Sequence, residues 1–208
     1  MLESSERINF ITNYMTAYEN KIKALNSAGL FDAAKLFETF ALNICHLYFG
    51  IEFINLNIEK MNYPYVDLIS KDGNIYCQVS TCSDVPQKIK NTLNKIRDSK
   101  DKSMQKIKTI YFFVLDNNNV DNVEDFDGDK KIGNIAFHKN EHLITTKNIV
   151  THAIENLNFQ QEIYNFLKQD SKLSEVDFHK YQESVQDSKN FLQKNFNDKI
   201  GGKYYIDL

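Results

Sequence analysis

No stretch of this sequence approaches the roughly 20 apolar residues that span a bilayer. The charged start, Met1-Leu-Glu-Ser-Ser-Glu-Arg7, is followed by no apolar signal core. A membrane helix and a secretory leader are therefore not expected, and the expected setting is the cytoplasm. Cysteine is scarce and odd in number. Cys45, Cys77 and Cys82 show no Cys-x-x-Cys spacing, which excludes a disulfide frame and a thiolate zinc site as organising features. There is no excess of positive charge: the net charge is −3. That argues against strong non-specific DNA binding by the whole surface and says nothing about a local patch. Tryptophan is absent and proline occurs twice, a bias without functional content. No internal repeat is found.

What is present is ordinary for a globular protein, with 42 % apolar and 25 % charged residues. A length of 208 residues fits one large domain, or one domain with an appendage. Residues 5–27 carry one apolar stripe at helical spacing, Ile8, Ile11, Met15, Tyr18, Ile22 and Leu25, with Ser4 or Ser5 as the cap and Gly29 after the end. The stripe runs for about three heptads, which suits packing within the domain better than a coiled-coil seam. Residues 31–49 form a second helix, closed by Gly50. Its wet stripe is Asp32, Lys35, Thr39, Asn43 and His46, all within about 80° of arc. Glu38 lies roughly 100° from the centre of that stripe, among Phe31, Ala34, Leu42 and Cys45. Two readings stand side by side. Either Glu38 reaches water at a boundary, or it is aimed at something polar on a sheet.

Ile51–Asn57 reads as a strand. Tyr65–Thr81 then reads as a hairpin whose turn is the Asp72-Gly73 dipeptide, with Pro64 leading into its first arm. Asp67 lies on the first arm. Gln78 and Ser80 lie on one face of the second. Ser83 or Asp84 caps a helix with Pro86 in its first turn and Val85, Ile89, Leu93 and Ile96 on one side. Between Lys88 and Lys108 there are eight basic residues, among them Lys90, Lys95 and Arg97, against Asp98 and Asp101 only. Such a face is usually just solvated. Placed after a polar hairpin, it is also a candidate for phosphate contact.

Ile107–Leu115 reads as a buried central strand. Asp125-Phe-Asp-Gly-Asp129 is not a calcium loop, because glycine is fourth rather than sixth and the twelfth place is Ala136. A short strand is expected at Ile135–His138. A helix follows from a Thr145 or Thr146 cap, and 159–168 continue helically. Residues 170–179 read as a linker and 180–197 as a polar helix. The domain organisation expected is an α/β domain over 1–169 and a helical extension over 170–208. The fold class expected is a mixed central sheet flanked by helices.

This order of elements resembles the restriction-endonuclease-like, or PD-(D/E)xK, fold. Residue by residue, Glu38 stands at that family's helix acid, Asp67 at its strand Asp and Gln78 at its Glu/Gln position. Ser80 stands where the family has lysine. The resemblance implies that Asp67, Gln78 and Glu38 hold Mg²⁺ and that an amine neutralises developing charge. Lys88, one turn into the next helix, is the candidate for that amine, or else one more solvated cation. Pro-Tyr-Val-Asp-Leu, then Gln-Val-Ser-Thr, then Lys88-Ile-Lys-Asn is similar to the bacterial SMEK-domain proteins over about residues 5–168. That family also lacks the lysine after Gln, and some members sit beside defence-related domains. Two functions follow as expectations. One is a metal-dependent nuclease, with phage defence as a setting, in which Glu38, Asp67, Gln78 and Lys88 are catalytic and Lys90, Lys95 and Arg97 contact nucleic acid. The other is a non-catalytic module that binds nucleic acid, or a protein through 170–208. A third, plainer reading has Asp67 and Gln78 satisfying each other inside the hairpin.

Overall fold

The computed structural model describes residues 3–29, 32–59, 65–101, 104, 107, 109–115, 120–125, 135 and 137–171. The expectations for Phe31, Tyr63, Pro64, Lys102, Lys106, Lys108, 126–129, Ala136 and 172–208 lie outside them. The chain divides into two units, Met1–Tyr164 and Asn165–Leu208.

In the first unit, α1 (Ser4–Ser27) buries Ile11, Met15 and Ile22 from the expected stripe and packs on α2 (Asp32–Phe49) and on a later helix, α6 (Thr146–Glu155). The stripe is thus used within its own unit. The cap is not a serine. Ser4 Oγ donates to Gln160 Oε1 at 3.0 Å, and Glu3 takes the cap position, its N–H donating to Glu6 Oε2 at 3.0 Å. Glu19, also buried in the stripe, accepts from Lys23 at 2.8 Å and from Thr146 Oγ1 at 3.3 Å.

A five-stranded mixed sheet forms the centre, in the order β1–β2–β3–β4–β5. β1 (Phe53–Asn55), β2 (Leu68–Ser70) and β3 (Tyr76–Ser80) are antiparallel neighbours. β4 (Ile110–Val114) and β5 (Leu143–Ile144) are added in parallel. The expected α/β architecture is present, and three local features differ from the sequence reading. β1 stops at Asn55 instead of reaching Asn57, because Asn55 Oδ1 accepts the Asn57 N–H at 2.9 Å and turns the chain into the short helix α3 (Leu56–Glu59). The β2–β3 turn is wider than two residues. Ser70 N–H donates to the Ile75 carbonyl at 2.8 Å, while the Asp72 carboxylate gathers Ser70 Oγ and both nitrogens of Asn74. The fifth strand is Leu143–Ile144, not Ile135–His138. Ile135 and Phe137 make isolated bridges only, and α5 (Lys139–His142) intervenes.

α4 (Val85–Arg97) begins as expected, with Asp84 Oδ1 accepting the Gln87 N–H at 3.1 Å. Its Val85, Ile89, Leu93 and Ile96 join Phe112, Ile110 and Val114 in one core. On the α2 side of the sheet, Phe37 meets Phe113 with ring centroids 5.4 Å apart. Each such side chain contributes about 1.5–3 kcal/mol by leaving water. α6 starts at the Thr145 cap. Residues 157–164 are helical and close the first unit. There Gln160, 1 % exposed, accepts from Ser4 and Arg7 and donates to the Ala153 carbonyl, which ties the unit's last helix to its first. In the second unit residues 165–171 are helical, so helix reaches into the first two residues of the stretch read as a linker, Asp170 and Ser171. Among the described residues no helix is long and apolar enough to cross a membrane. The three cysteines are free, Cys45 and Cys77 buried and Cys82 exposed.

Candidate functional site

The hairpin register builds the first half of the site. Leu68 pairs with Cys77 and Ile69 with Tyr76. One step further along, Asp67 faces Gln78. Its N–H donates to the Cys77 carbonyl at 3.0 Å, and its carbonyl accepts from Leu56 N–H at 2.8 Å. The backbone of Asp67 is therefore held from both sides. Its side chain is almost as confined. Oδ2 accepts from the Val79 N–H at 2.7 Å and from Gln78 Nε2, and Oδ1 accepts from Asn57 Nδ2 at 3.0 Å. Gln78 Nε2 also donates to the Val79 carbonyl at 3.1 Å.

Glu38 comes to this cluster from α2. Its Oε2 accepts from the same Asn57 Nδ2 at 3.2 Å. Two carboxylates thus converge on one amide nitrogen. Glu38, which helix geometry leaves free to face either water or the sheet, stands at the sheet end, half-buried. Asn57 is a member of the site that the sequence does not mark as one. The available signal was Asn55-Leu-Asn57, a spacing at which one Asn side chain can turn the backbone and deliver the next.

Burial pushes the Asp67 carboxyl from its ordinary 3.8 up to about 6. The Val79 N–H opposes this, the charge of Glu38 adds to it, and Asn57 and the Lys88 ammonium pull it back down. Lys88 is half-buried on the first turn of α4. With Glu38, Ala34, Phe37 and Val79–Cys82 it lines a cavity of about 270 Å³ at the end of β3. Ser80 is buried in the wall of that cavity, and its Oγ accepts the Cys82 N–H at 3.2 Å. So Glu38, Asp67, Gln78 and Lys88 are brought together, and Asn57 joins them.

The basic residues of α4 are not brought together. At 100° per residue, Lys95 lies about 20° from Lys88 around the helix, whereas Lys90 and Arg97 lie about 160° and 180° away. Arg97 is engaged by Asp98, with Nε and Nη2 donating at 2.7 and 2.9 Å. Lys95 Nζ sits 5.8 Å from the centroid of the Tyr65 ring. Tyr65, two residues before Asp67, has φ 73°. That left-handed conformation costs a bulky side chain roughly 1–3 kcal/mol.

Among the described residues no three His, Cys, Asp or Glu side chains gather as a metal site. The donors here are two carboxylates and two carboxamides. Such a set fits Mg²⁺, which is held by one or two carboxylates and keeps several waters. The convergence of Glu38 Oε2 and Asp67 Oδ1 on one positively polarised group supports that fit. Gln78 would ligate only with its amide turned over to present Oε1, since Nε2 now faces Asp67.

A family model described as the SMEK domain matches residues 10–155. No curated protein and no solved structure matches the chain.

Proposed function

The chain belongs to the SMEK domain family, and on that premise we propose that its site binds a divalent cation, Mg²⁺ first, and hydrolyses a phosphodiester of nucleic acid. The observation that carries this reading is the meeting of Glu38 and Asp67 on Asn57 Nδ2 beside a cavity that Lys88 lines. Asp67 and Glu38 would hold the cation, with the Gln78 amide oxygen as a third donor. A bound cation would supply polarisation of the phosphoryl oxygen and a water acidic enough to attack at neutral pH. The chain's own groups do the rest. Lys88 offers an ammonium to the charge that grows on the phosphoryl oxygens, taking the part that Ser80 cannot. Ala34, Phe37 and Val79 form an apolar wall that lowers the local dielectric and strengthens that attraction. The setting we propose is the bacterial cytoplasm, with foreign nucleic acid such as that of phage as substrate. The link of some SMEK-domain proteins to defence-related domains supports it.

Single- and double-stranded DNA and RNA incubated with the full chain and Mg²⁺ or Mn²⁺ test the proposal. Cleavage by the native chain that disappears in Asp67→Ala is the expected result. Absence of cleavage on every substrate, together with no cation uptake by calorimetry, overturns it. A second reading, a binding module without catalysis, draws on one observation: both oxygens of Asp67 are already occupied by N–H donors of the chain. It expects Asp67→Ala to bind nucleic acid, or a protein partner recruited through 170–208, as well as the native chain does.

A further inference from the structure

We propose that Tyr65 and the Lys88–Lys95 edge of α4 form a track along which a single, unpaired nucleic-acid strand reaches the carboxylates; this rests on the reading of the site given above. Lys88 and Lys95 are seven residues apart, so they share one edge of the helix and lie roughly 10 Å apart along it. Lys88 borders the cavity at Glu38. Lys95 is exposed, with its ammonium 5.8 Å from the Tyr65 ring centroid. Tyr65 in turn stands two residues before Asp67. Its ring is half-buried, packed on one side against the core beneath α4 and open in part to solvent.

The arrangement is an aromatic ring with the Lys95 ammonium over it and a second cation, Lys88, toward the site. An arriving base would take the place of the Lys95 ammonium on the ring by stacking, whatever its sequence, as that ammonium moves to the neighbouring phosphate. A duplex keeps its base faces stacked on each other and offers Tyr65 nothing comparable, so the track fits an unpaired strand. The left-handed backbone at Tyr65 is one that glycine or asparagine adopts with less strain. The opposite edge of α4 has a different character. Arg97 is committed to Asp98, and Lys90 points to the same side as Arg97, away from the cavity.

The test is fluorescence anisotropy with labelled single strands of DNA and of RNA and the matching duplexes, with Ca²⁺ in place of Mg²⁺ so that the probes stay intact. The native chain is expected to prefer single strands. Tyr65→Leu, which keeps apolar bulk without the ring, is expected to weaken binding roughly ten-fold, and Tyr65→Phe to leave it within about two-fold. Lys95→Gln is expected to lower the slope of log Kd against log salt by about 0.7, with Lys90→Gln and Arg97→Gln unchanged. Phe at 65 and Gln at 95 keep the test decisive if the Leu variant fails to fold. Duplex preference, an unchanged Kd in a folded Tyr65→Leu, or equal losses on both edges of α4 overturns the track while leaving the site's reading intact. A native chain that binds no nucleic acid overturns both.

Discussion

Burial holds the Asp67 carboxyl near pKa 6 in the folded chain, against 3.8 where it is exposed. The folded state therefore binds more protons than the unfolded state between about pH 4 and pH 6, and stability falls as pH rises through that window. The full difference is about 3 kcal/mol. Asp67→Asn, which cannot ionise, is expected to remove this pH dependence, so that its stability differs less between pH 4 and pH 8 than the native chain's. Urea midpoints at the two pH values check this. The same variant is expected to lose cleavage, because a site that needs the charged form gives up stability to keep it. Lys88→Ala is expected to lower the cleavage rate by roughly 10²–10³ while calorimetric cation uptake persists, since Lys88 is placed to meet the phosphoryl group rather than to ligate the ion. At this scale much was legible. An eleven-residue spacing around a turn sets Asp67 opposite Gln78, and the angular position of Glu38 kept it off the wet face of α2. Asn57 was not legible. An asparagine at the end of an alternating run carries no mark of the two carboxylates it joins.

The β2–β3 turn is where an element depends on one backbone conformation. Gly73 has φ 75°, and a Cβ there would meet nothing within 4 Å. Gly73→Ala is thus expected to cost about 1 kcal/mol, from the backbone alone, with chemical denaturation as the measurement. The start and inner face of α4 were legible, since Asp84 followed by Pro86 marks a start and its apolar residues recur at helical spacing. Its charge was less so. A count of basic residues along a helix does not reveal that they divide between opposite edges, and Arg97 is neutralised by its immediate neighbour Asp98. β5 was hidden for a simpler reason: a two-residue strand is too short to show alternation.

For the molecule as a whole, a net charge of −3 and the two cations on one edge of α4 set how salt should act. The slope of log Kd against log salt for a single strand is expected to have a magnitude of about 1.4, the value for two phosphate contacts, and not the larger value that all the basic residues of 88–108 would produce. Titration of binding across salt concentrations checks it. The layer order of the unit was legible because helices and strands alternate in an order that few sheets accommodate. The sheet also has two histories along the chain. β1, β2 and β3 are neighbours both in sequence and in space, whereas β4 and β5 find their places only after crossovers through α4 and α5. Loops close quickly when short, and a hairpin forms in about 1–10 μs, while pairings distant in sequence dominate the folding rate. Asp67 and Gln78 should consequently meet early in folding, and Glu38 and Lys88 should reach them once α2 and α4 have docked on the growing sheet.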